Sequence, residues 1–588
     1  MIMGTIRSAA MNGKTIHPMT EQRGVVLVVA LLVLTILSVL GLAFLTTART
    51  EDTIAANYRN HTAAFYAAEA GIESGLQRLK TTLGANPNVT DADLAKIAAV
   101  PLTDPNYVFD AFQVRRIRPT PYPTTIDSGP YAGLNAFNTA YEVTATVNGP
   151  RGSRVRLTQR VNYAEIPLFQ FMAFYGRGVD LEIAPSPPAV LTGRIHANGS
   201  LYLKENLDTK FDGYMTSAGN VYRYLKPFPA VRGQNVEIKD ASGVYQELNF
   251  DHEYDYDFQN KWSESDWMKA ALSKFGGRLQ DSAMGVQEIV PPIPSAFYDP
   301  SKPDASSHQM IEKGVAGDTQ EMKDAKMYYK ADIRIENGAV KDKSGNTINM
   351  NAKGCDKNTI TTKTFYDPRE TKNVQVTEID IGMMNACGVM PANGVLWAHH
   401  DGSDKGIRLK GGSQLPSTGL TVASENPVYV MGDYNTVNKV PASLMGDAIY
   451  VLSNNWEKSG YDKKGKDPYT QRPAADTTVN AAVMLGPHAE SELGVPNGNG
   501  YFENIFRFLE DWRAGVPHPD AKHTFTYNGS IVSLWHSLQA TAPFARPDGV
   551  TYRTPPKRPW SYDTLFDTQL PPGTPMGIIY TRGQWSEG

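Results

Sequence analysis

Apolar side chains fill the stretch 25–45, VVLVVALLVLTILSVLGLAFL, where Thr35 and Ser38 are the only polar side chains and no charge appears between Arg23 and Arg49. A helix of this length spans roughly 30 Å, the thickness of a bilayer hydrocarbon core. Beyond it the pattern changes period. Ile54, Tyr58, His61, Phe65, Ala68, Ile72, Leu76, Leu79 and Leu83 recur at spacings of three and four, the helical repeat. No proline interrupts before Pro87, and Gly84 supplies a stop. One helix of about 55–60 residues is predicted, its first half apolar all round and its second half amphipathic.

The flanks orient it. Arg7, Lys14 and Arg23 stand against Glu21 before the apolar run, whereas Arg49 is followed at once by Glu51 and Asp52. The positive-inside bias places the N-terminus in the cytoplasm and the rest of the chain outside, so the expected location is a single-pass inner-membrane protein with a periplasmic C-terminal region. The apolar run is too long for a cleavable secretory signal, although Thr46-Thr47-Ala48 has the look of a weak cleavage site.

The stretch QRGVVLVVALLVLTILSVLGLAFLTTARTEDTIAANYRNHTAAFYAAEAGIESGLQRL resembles the N-terminal region of PilX-type minor pilins of the type IV pilin superfamily. The Gln-Arg-Gly entry, the apolar run and the Ala-Phe-Tyr-Ala-Ala-Glu-Ala block at 64–70 carry the likeness. It implies a leader at 1–24, cleavage between Gly24 and Val25 by a prepilin peptidase, N-methylation of the new amine, and extraction from the membrane into a fibre. Packing against other pilins would involve Val29, Ile54, Tyr58, Phe65 and Ile72. Most pilins carry glutamate at the fifth mature position, where it neutralises the terminal amine of the adjacent subunit; here that position is Val29. An unpaired charge inside an apolar bundle costs several kcal/mol. A subunit lacking the carboxylate suits the end of a fibre, with nothing above it, and the tip pseudopilin of type II secretion shares this absence.

The remainder reads as mainly β. Tyr141, Val143, Ala145 and Val147 alternate with polar residues, Asn148-Gly149-Pro150-Arg151-Gly152 turns the chain, and Val155 and Leu157 resume the alternation. This hairpin is expected to pack on the long helix. From about 180, short apolar runs recur behind Gly and Asn turns, with Asn-Gly at 198–199, 393–394 and 528–529 and later spacings of about 25–45 residues. They predict coils of a parallel β-solenoid with insertions, a sandwich or mixed sheet being the alternative. Two helices are expected. One follows the capping-box run Ser263-Glu264-Ser265-Asp266; the other covers 501–512, with Phe502, Ile505, Phe506, Leu509 and Trp512 on one face. The fold class is therefore α+β, mainly β: a long pilin-like helix with a small sheet, then a large β-rich region. Its expected divisions are 1–24 leader, 25–45 membrane helix, 46–165 helix and hairpin, 166–295 first β-rich part, 296–390 insertion, and 391–588 second β-rich part with a capping helix and a proline-rich tail strapped over the surface.

With 588 residues, the chain exceeds one core and suggests about three domains. A net charge of −4 gives no phosphate-neutralising excess, so nucleic acid is not an expected partner. Cys355 and Cys387 are the only cysteines, and outside the cytoplasm they are expected to form a disulfide. Asp251, Glu253, Asp255 and Asp257 alternate in DHEYDYD and are weak candidates for a Ca²⁺ site, solvated loops being the plainer account. The turn at 401–406 is a second acidic stretch; it fits neither an EF-hand nor a DxSxS motif. His399 and His400 are adjacent on an expected strand and so point to opposite faces. Hydrolase, zincin and P-loop signatures do not occur. No cofactor and no enzymatic role are expected. Trp397, Tyr429, Tyr434, Trp456 and Trp535 fit either core packing or a groove that stacks on sugars. The expected function is a pilus assembly protein at or priming a fibre tip, its head used in adhesion. The alternatives are a tip pseudopilin of type II secretion and a membrane-anchored surface carbohydrate-active enzyme. Expected partners are other pilins, the prepilin peptidase, the inner membrane, and a tip adhesin or surface glycan.

Overall fold

The structure, a computed structural model, describes residues 22–85, 89–127, 129–176, 179–184, 190–204, 209–229, 236–256, 259–290, 298–488, 501–514, 522–544, 549 and 551–588. The leader stretch 1–21 lies outside them. Helix α1 (Gln22–Ala85) runs unbroken for 64 residues. Its hydroxyls are satisfied within the helix: Thr35 and Ser38 donate to the carbonyls of Leu31 and Leu34, at 2.6 and 2.7 Å. Such back-bonding removes the cost of placing them among apolar neighbours.

Four strands form the sheet that faces the second half of α1: β1 (Val108–Arg116), β2 (Tyr122–Thr125), β3 (Asn135–Asn148) and β4 (Arg154–Pro167). The β3–β4 hairpin is antiparallel from Phe137↔Glu165 to Asn148↔Arg154. Val143, Ala145, Val147, Val155 and Leu157 are all buried, against Ala64, Ala68, Ile72, Leu79 and Leu83 of the helix. The proline-bearing tail does more than strap the surface. Its last segment, Met576–Glu587, is a strand paired antiparallel with β4, from Met576↔Pro167 to Glu587↔Leu157.

From Phe171 the chain coils. Leu181, Leu201 and Val221 are register partners on successive parallel strands 20 residues apart, and so are Ile195 and Met215. In the later part Ile407, Val428 and Ile449 follow at intervals of 21. The rung is thus shorter than the spacing of the obvious apolar runs, because each rung holds two or three short strands on different faces. Where rungs stack, backbones come too close for a side chain. A Cβ on Gly213 would lie 1.6 Å from the Gly193 carbonyl oxygen, and one on Gly529 2.0 Å from that of Ala481.

Strand order in the long sheet is not sequence order. Phe171–Tyr175 lies inside it, with Arg194–Ala197 on one side and Ile531–Ser533 on the other. The chain first climbs away through Met215–Ser217 to Leu279–Gln280. It then starts again at the far end and returns rung by rung through Val395–His399, Leu420–Ala423, Ala442–Gly446 and Ala482–Leu485. The stretch expected as an insertion supplies the far end: Ile333–Glu336 extends the long sheet, and the hairpin Ile360–Asp367/Lys372–Asp380 begins a second, six-stranded sheet. Its polar composition misled because its charges are used between strands. Glu378 and Arg408 are opposite neighbours, and the buried Arg408 also grips Asp462 through two bonds of 2.7 and 2.8 Å.

The helix Glu264–Phe275 forms with Ser263 as N-cap and Asp266 completing the box. The second expected helix does not. Phe502–Asn504 is one 3₁₀ turn, and Arg507–Phe508 is a strand beside Tyr450 and Val451. A helix would have turned Glu503, Arg507 and Glu510 to solvent, whereas the fold buries both sets. Arg507 bonds Glu370 at 2.7 Å, and Glu510 accepts from the amide and hydroxyl of Ser453 at 2.7 and 2.6 Å. Burial pushes the Glu510 carboxyl up to about 8.

A buried ion cluster joins the returning arm to the segment around His308. His308 Nδ1 bonds Glu312 at 2.8 Å, and its Nε2 faces Asp447 Oδ1 at 3.3 Å as an ion-pair contact. Asp447 also accepts from the amides of Leu538, Gln539 and Ala540. Asp304, paired with His536, and Glu425 complete the surroundings. Burial alone would lower the His308 pKa, but the two carboxylates outweigh it and hold it at about 9. A raised histidine stabilises fully below its unfolded pKa near 6.5 and loses that contribution as pH climbs through the folded value. Head stability should therefore fall by up to about 3 kcal/mol between pH 6.5 and 9. Denaturant melts of the parent should show this slope, and those of His308→Gln a shallower one, because the raised Glu510 carboxyl also lowers stability as pH rises toward 8; parallel pH profiles would refute the histidine's share.

Cys355 and Cys387 are joined, 32 residues apart, across the base of the hairpin 360–380. Closing such a loop is worth roughly 3–4 kcal/mol on the chain-entropy model. Reduction with dithiothreitol should lower the denaturation midpoint accordingly, and an unchanged midpoint would count against any stabilising role.

Candidate assembly site

The two ends of α1 meet different surroundings. Among the described residues it is the one helix long and apolar enough to cross a membrane, and its apolar stretch is not buried by the rest of the chain. Gly24 and Val25 stand exposed at its start. Val29, Ile54 and Tyr58 are 55%, 62% and 73% exposed. They lie on a free-standing stem, available to lipid or to a neighbouring chain.

Phe65 and Ile72 were expected on the same interface, yet the head of the same chain takes them. Ile72 is buried in the core shared with β3 and β4, and Phe65 packs edge-on to Trp585 with ring centroids 5.7 Å apart. The changeover falls near Ala64, the first helix residue to be fully buried.

The C-terminal strand supplies contacts that its sequence position concealed. Glu587 approaches His61 at 3.4 Å, Arg582 forks onto Glu73 at 2.5 and 2.7 Å, and Lys80 lies 5.4 Å from the Tyr580 ring centroid. His61, Phe65, Glu73 and Lys80 thus carry the far end of the chain on the helix. The ion pairs are exposed and contribute little individually; the strand hydrogen bonds set their register. The alternation in IIYTR was the available signal, hidden behind the prolines at 555–572.

The other candidates resolve into packing. Asp251 is buried and accepts from the amides of Glu253, Tyr254 and Arg223 at 2.9, 3.0 and 3.2 Å, so it organises a turn. Glu253 is exposed, Asp255 sits in a short hairpin with Asn260, and Asp257 lies outside the described residues. Among the described residues no three His, Cys, Asp or Glu side chains converge as metal ligands. Trp397, Tyr429, Tyr434, Trp456 and Trp535 are each at most 1% exposed, so they form core and not a sugar-stacking groove. His399 is held between Asp401 at 2.6 Å and Glu425 at 2.7 Å, whose charges outweigh burial and raise its pKa. His400 instead bonds Thr377.

Residues 23–73 match the PilX N-terminal family model. That stretch contains the exposed stem and runs on through Ala64, Ala68 and Ile72 into the head core. Among curated proteins none matches the chain. Among solved structures, the competence-associated pilin ComZ from Thermus thermophilus aligns over 90% of this chain and 98% of its own, at 10% identity and a TM-score of 0.24. The chain therefore carries a PilX-type N-terminus ahead of a large strand-rich head.

Glycine sets how closely α1 approaches its sheet. A Cβ on Gly71 would lie 2.5 Å from the Phe109 ring, and one on Gly75 2.8 Å from both Phe112 and Val143. In an exposed helix Gly→Ala gains about 1 kcal/mol. Here overpacking reverses the sign, and Gly75→Ala should destabilise the helix–sheet unit by about 1–3 kcal/mol. Thermal unfolding checks it, with Gly41→Ala, whose Cβ meets nothing within 4 Å, as the control that must not destabilise.

Proposed function

We propose that this chain is a minor-pilin-like subunit of a type IV pilus that sits at, or primes, the fibre tip and carries a large head for attachment. The observation that carries this reading is the division of α1: a stem exposed to about residue 60 and apolar all round over 25–45, then a half locked into its own head. An isolated apolar stem is tolerable only in lipid or among other such helices. That is the pair of environments a pilin occupies before and after assembly. The PilX-type match over 23–73 supports the same assignment.

On this proposal a prepilin peptidase cuts between Gly24 and Val25 on the cytoplasmic face, and the head lies in the periplasm until extraction. Val29 withholds the carboxylate that a following subunit's amine would need, which favours a terminal position. The size of the head argues likewise, since so large a body would crowd a close-packed shaft. The strands that climb by 20 and 21 residues per rung read as a parallel β-solenoid, a rigid form suited to projecting a surface outward. The role is structural, with the head's buried acids and histidines committed to holding rungs together. Val29 serves the tip pseudopilin of a type II secretion system equally well. Loss of twitching in a deletion strain selects the pilus, and loss of exoprotein release selects secretion.

Mass spectrometry of the mature N-terminus, from sheared fibres and from the cell membranes, is decisive for the class. N-methylated Val25 is expected in cells with the peptidase, and an uncut Met1 in cells without it. An intact leader in both strains, with the protein missing from fibres, would defeat the proposal.

A further inference from the structure

Two arginines, Arg194 and Arg278, stand together in the first rungs of the coil, and among the described residues neither forms a salt bridge. A crevice of about 480 Å³ opens beside them, lined by Gly193, Arg194, Asp212, Tyr214, Arg278 and Thr564 among others. The Arg194 guanidinium lies 4.4 Å from the Tyr214 ring centroid, and that of Arg278 lies 5.0 Å from the same ring. Arg194 donates one bond, from Nη2 to the Ala132 carbonyl at 2.6 Å. Arg278 donates to the carbonyls of Asp240 and Asp212 at 3.1 and 3.0 Å, and its Nε is buried with no partner. The nearby acids are engaged elsewhere: Asp212 pairs with Lys239 at 2.5 Å, and Asp567 accepts from the Tyr562 hydroxyl at 2.8 Å. Burial pulls the Arg194 pKa below its ordinary value; the charge of Arg278 adds to the pull, and Tyr214 and Asp567 oppose it without cancelling it.

Holding two half-buried like charges on one ring is unfavourable unless an anion joins them. A guanidinium fork with free N–H groups matches a planar carboxylate. The remaining lining decides what carries that carboxylate. The described residues around the crevice are glycines, amides, hydroxyl-bearing side chains, acids and tyrosines, with no aliphatic side chain. A peptide would find no pocket for an apolar anchor. A hydroxylated ring would find acceptors in Asp212 and Asp567 and a hydroxyl in Thr564. The volume is that of a small-ligand site.

We infer that this crevice binds an acidic saccharide, its uronate carboxylate on Arg194 and Arg278 and its ring hydroxyls toward Asp212, Asp567 and Thr564. The inference names a ligand class for the attachment role proposed above and takes its biological meaning from it.

Full-length protein in detergent micelles, titrated calorimetrically, tests it with digalacturonate, cellobiose, sulfate and a tetraglutamate peptide as probes. Digalacturonate should bind saturably and more weakly at higher salt, and cellobiose should not bind. Arg194→Gln should weaken binding at least tenfold. Thr564→Trp, which fills the mouth and leaves both guanidiniums in place, should do the same with an unchanged unfolding midpoint, so it carries the test should Arg194→Gln unfold. No binding of digalacturonate, equal binding by Thr564→Trp, or saturation by sulfate or tetraglutamate alone overturns the assignment. The titration is independent of N-terminal processing: its failure leaves the pilin reading standing, and an uncut leader would leave saccharide binding intact.

Discussion

The head depends on one long-range pairing, the parallel contact between Phe171–Tyr175 and Ile531–Ser533 inside the long sheet. Both arms of the coil are anchored at this seam. One climbs away from Phe171, and the other starts at the far end and descends to Ile531. Neither strand has a solvent edge there, so every later rung inherits its height from this register. The seam also delivers the chain, some 360 residues later, back to the level at which it left β4, and the strand Met576–Glu587 can then complete the small sheet.

That closure explains how a stem and a large head form one body. The helix is gripped from two directions: by β3 and β4 through the close approach at Gly71 and Gly75, and by the terminal strand through His61, Phe65, Glu73 and Lys80. The buried pair Glu378 with Arg408 lies between neighbouring strands and penalises any slip of register, since a shifted rung would strand a charge in the interior, and Glu370, in the turn before Lys372, reaches Arg507 from outside the ladder. Rigidity of this kind makes a fixed crevice such as the one at Arg194 plausible chemistry on the outside of a coil whose aromatic side chains are largely committed to its interior.

Much of this was legible in the residues, and the failures have definite causes. The long helix, its change of period near residue 46 and the hairpin at 141–157 follow from local repeats of 3.6 and 2, which need no tertiary information. The capping box at Ser263 is equally local. The segment 501–512 was misread because its apolar positions fit a helix while Arg507 and Glu510 are buried by partners distant in sequence, Glu370 and Ser453. The stretch 296–390 looked like an insertion for the same reason, its charges serving as inter-strand pairs. The five residues expected at the subunit interface divide in two. Exposure of Val29, Ile54 and Tyr58 follows from the stem, but the capture of Phe65 and Ile72 depends on a head whose position no helical repeat encodes. The pairing of Arg194 with Arg278 across one tyrosine was invisible, since their proximity is created only by stacking of rungs.

Placing the final strand beside β4 has a bearing on biogenesis. The long helix is made early, yet the surface that clasps it is finished late. Until residues 576–587 have been made, the edge of β4 is uncovered, with its row of backbone groups open to pairing with any passing strand. A polypeptide lacking 576–587 would keep the long helix but leave the head with a bare strand edge, open to pairing with a second copy. Residues 576–587 thus close the sheet that holds the helix, and with it an edge that would otherwise invite self-association.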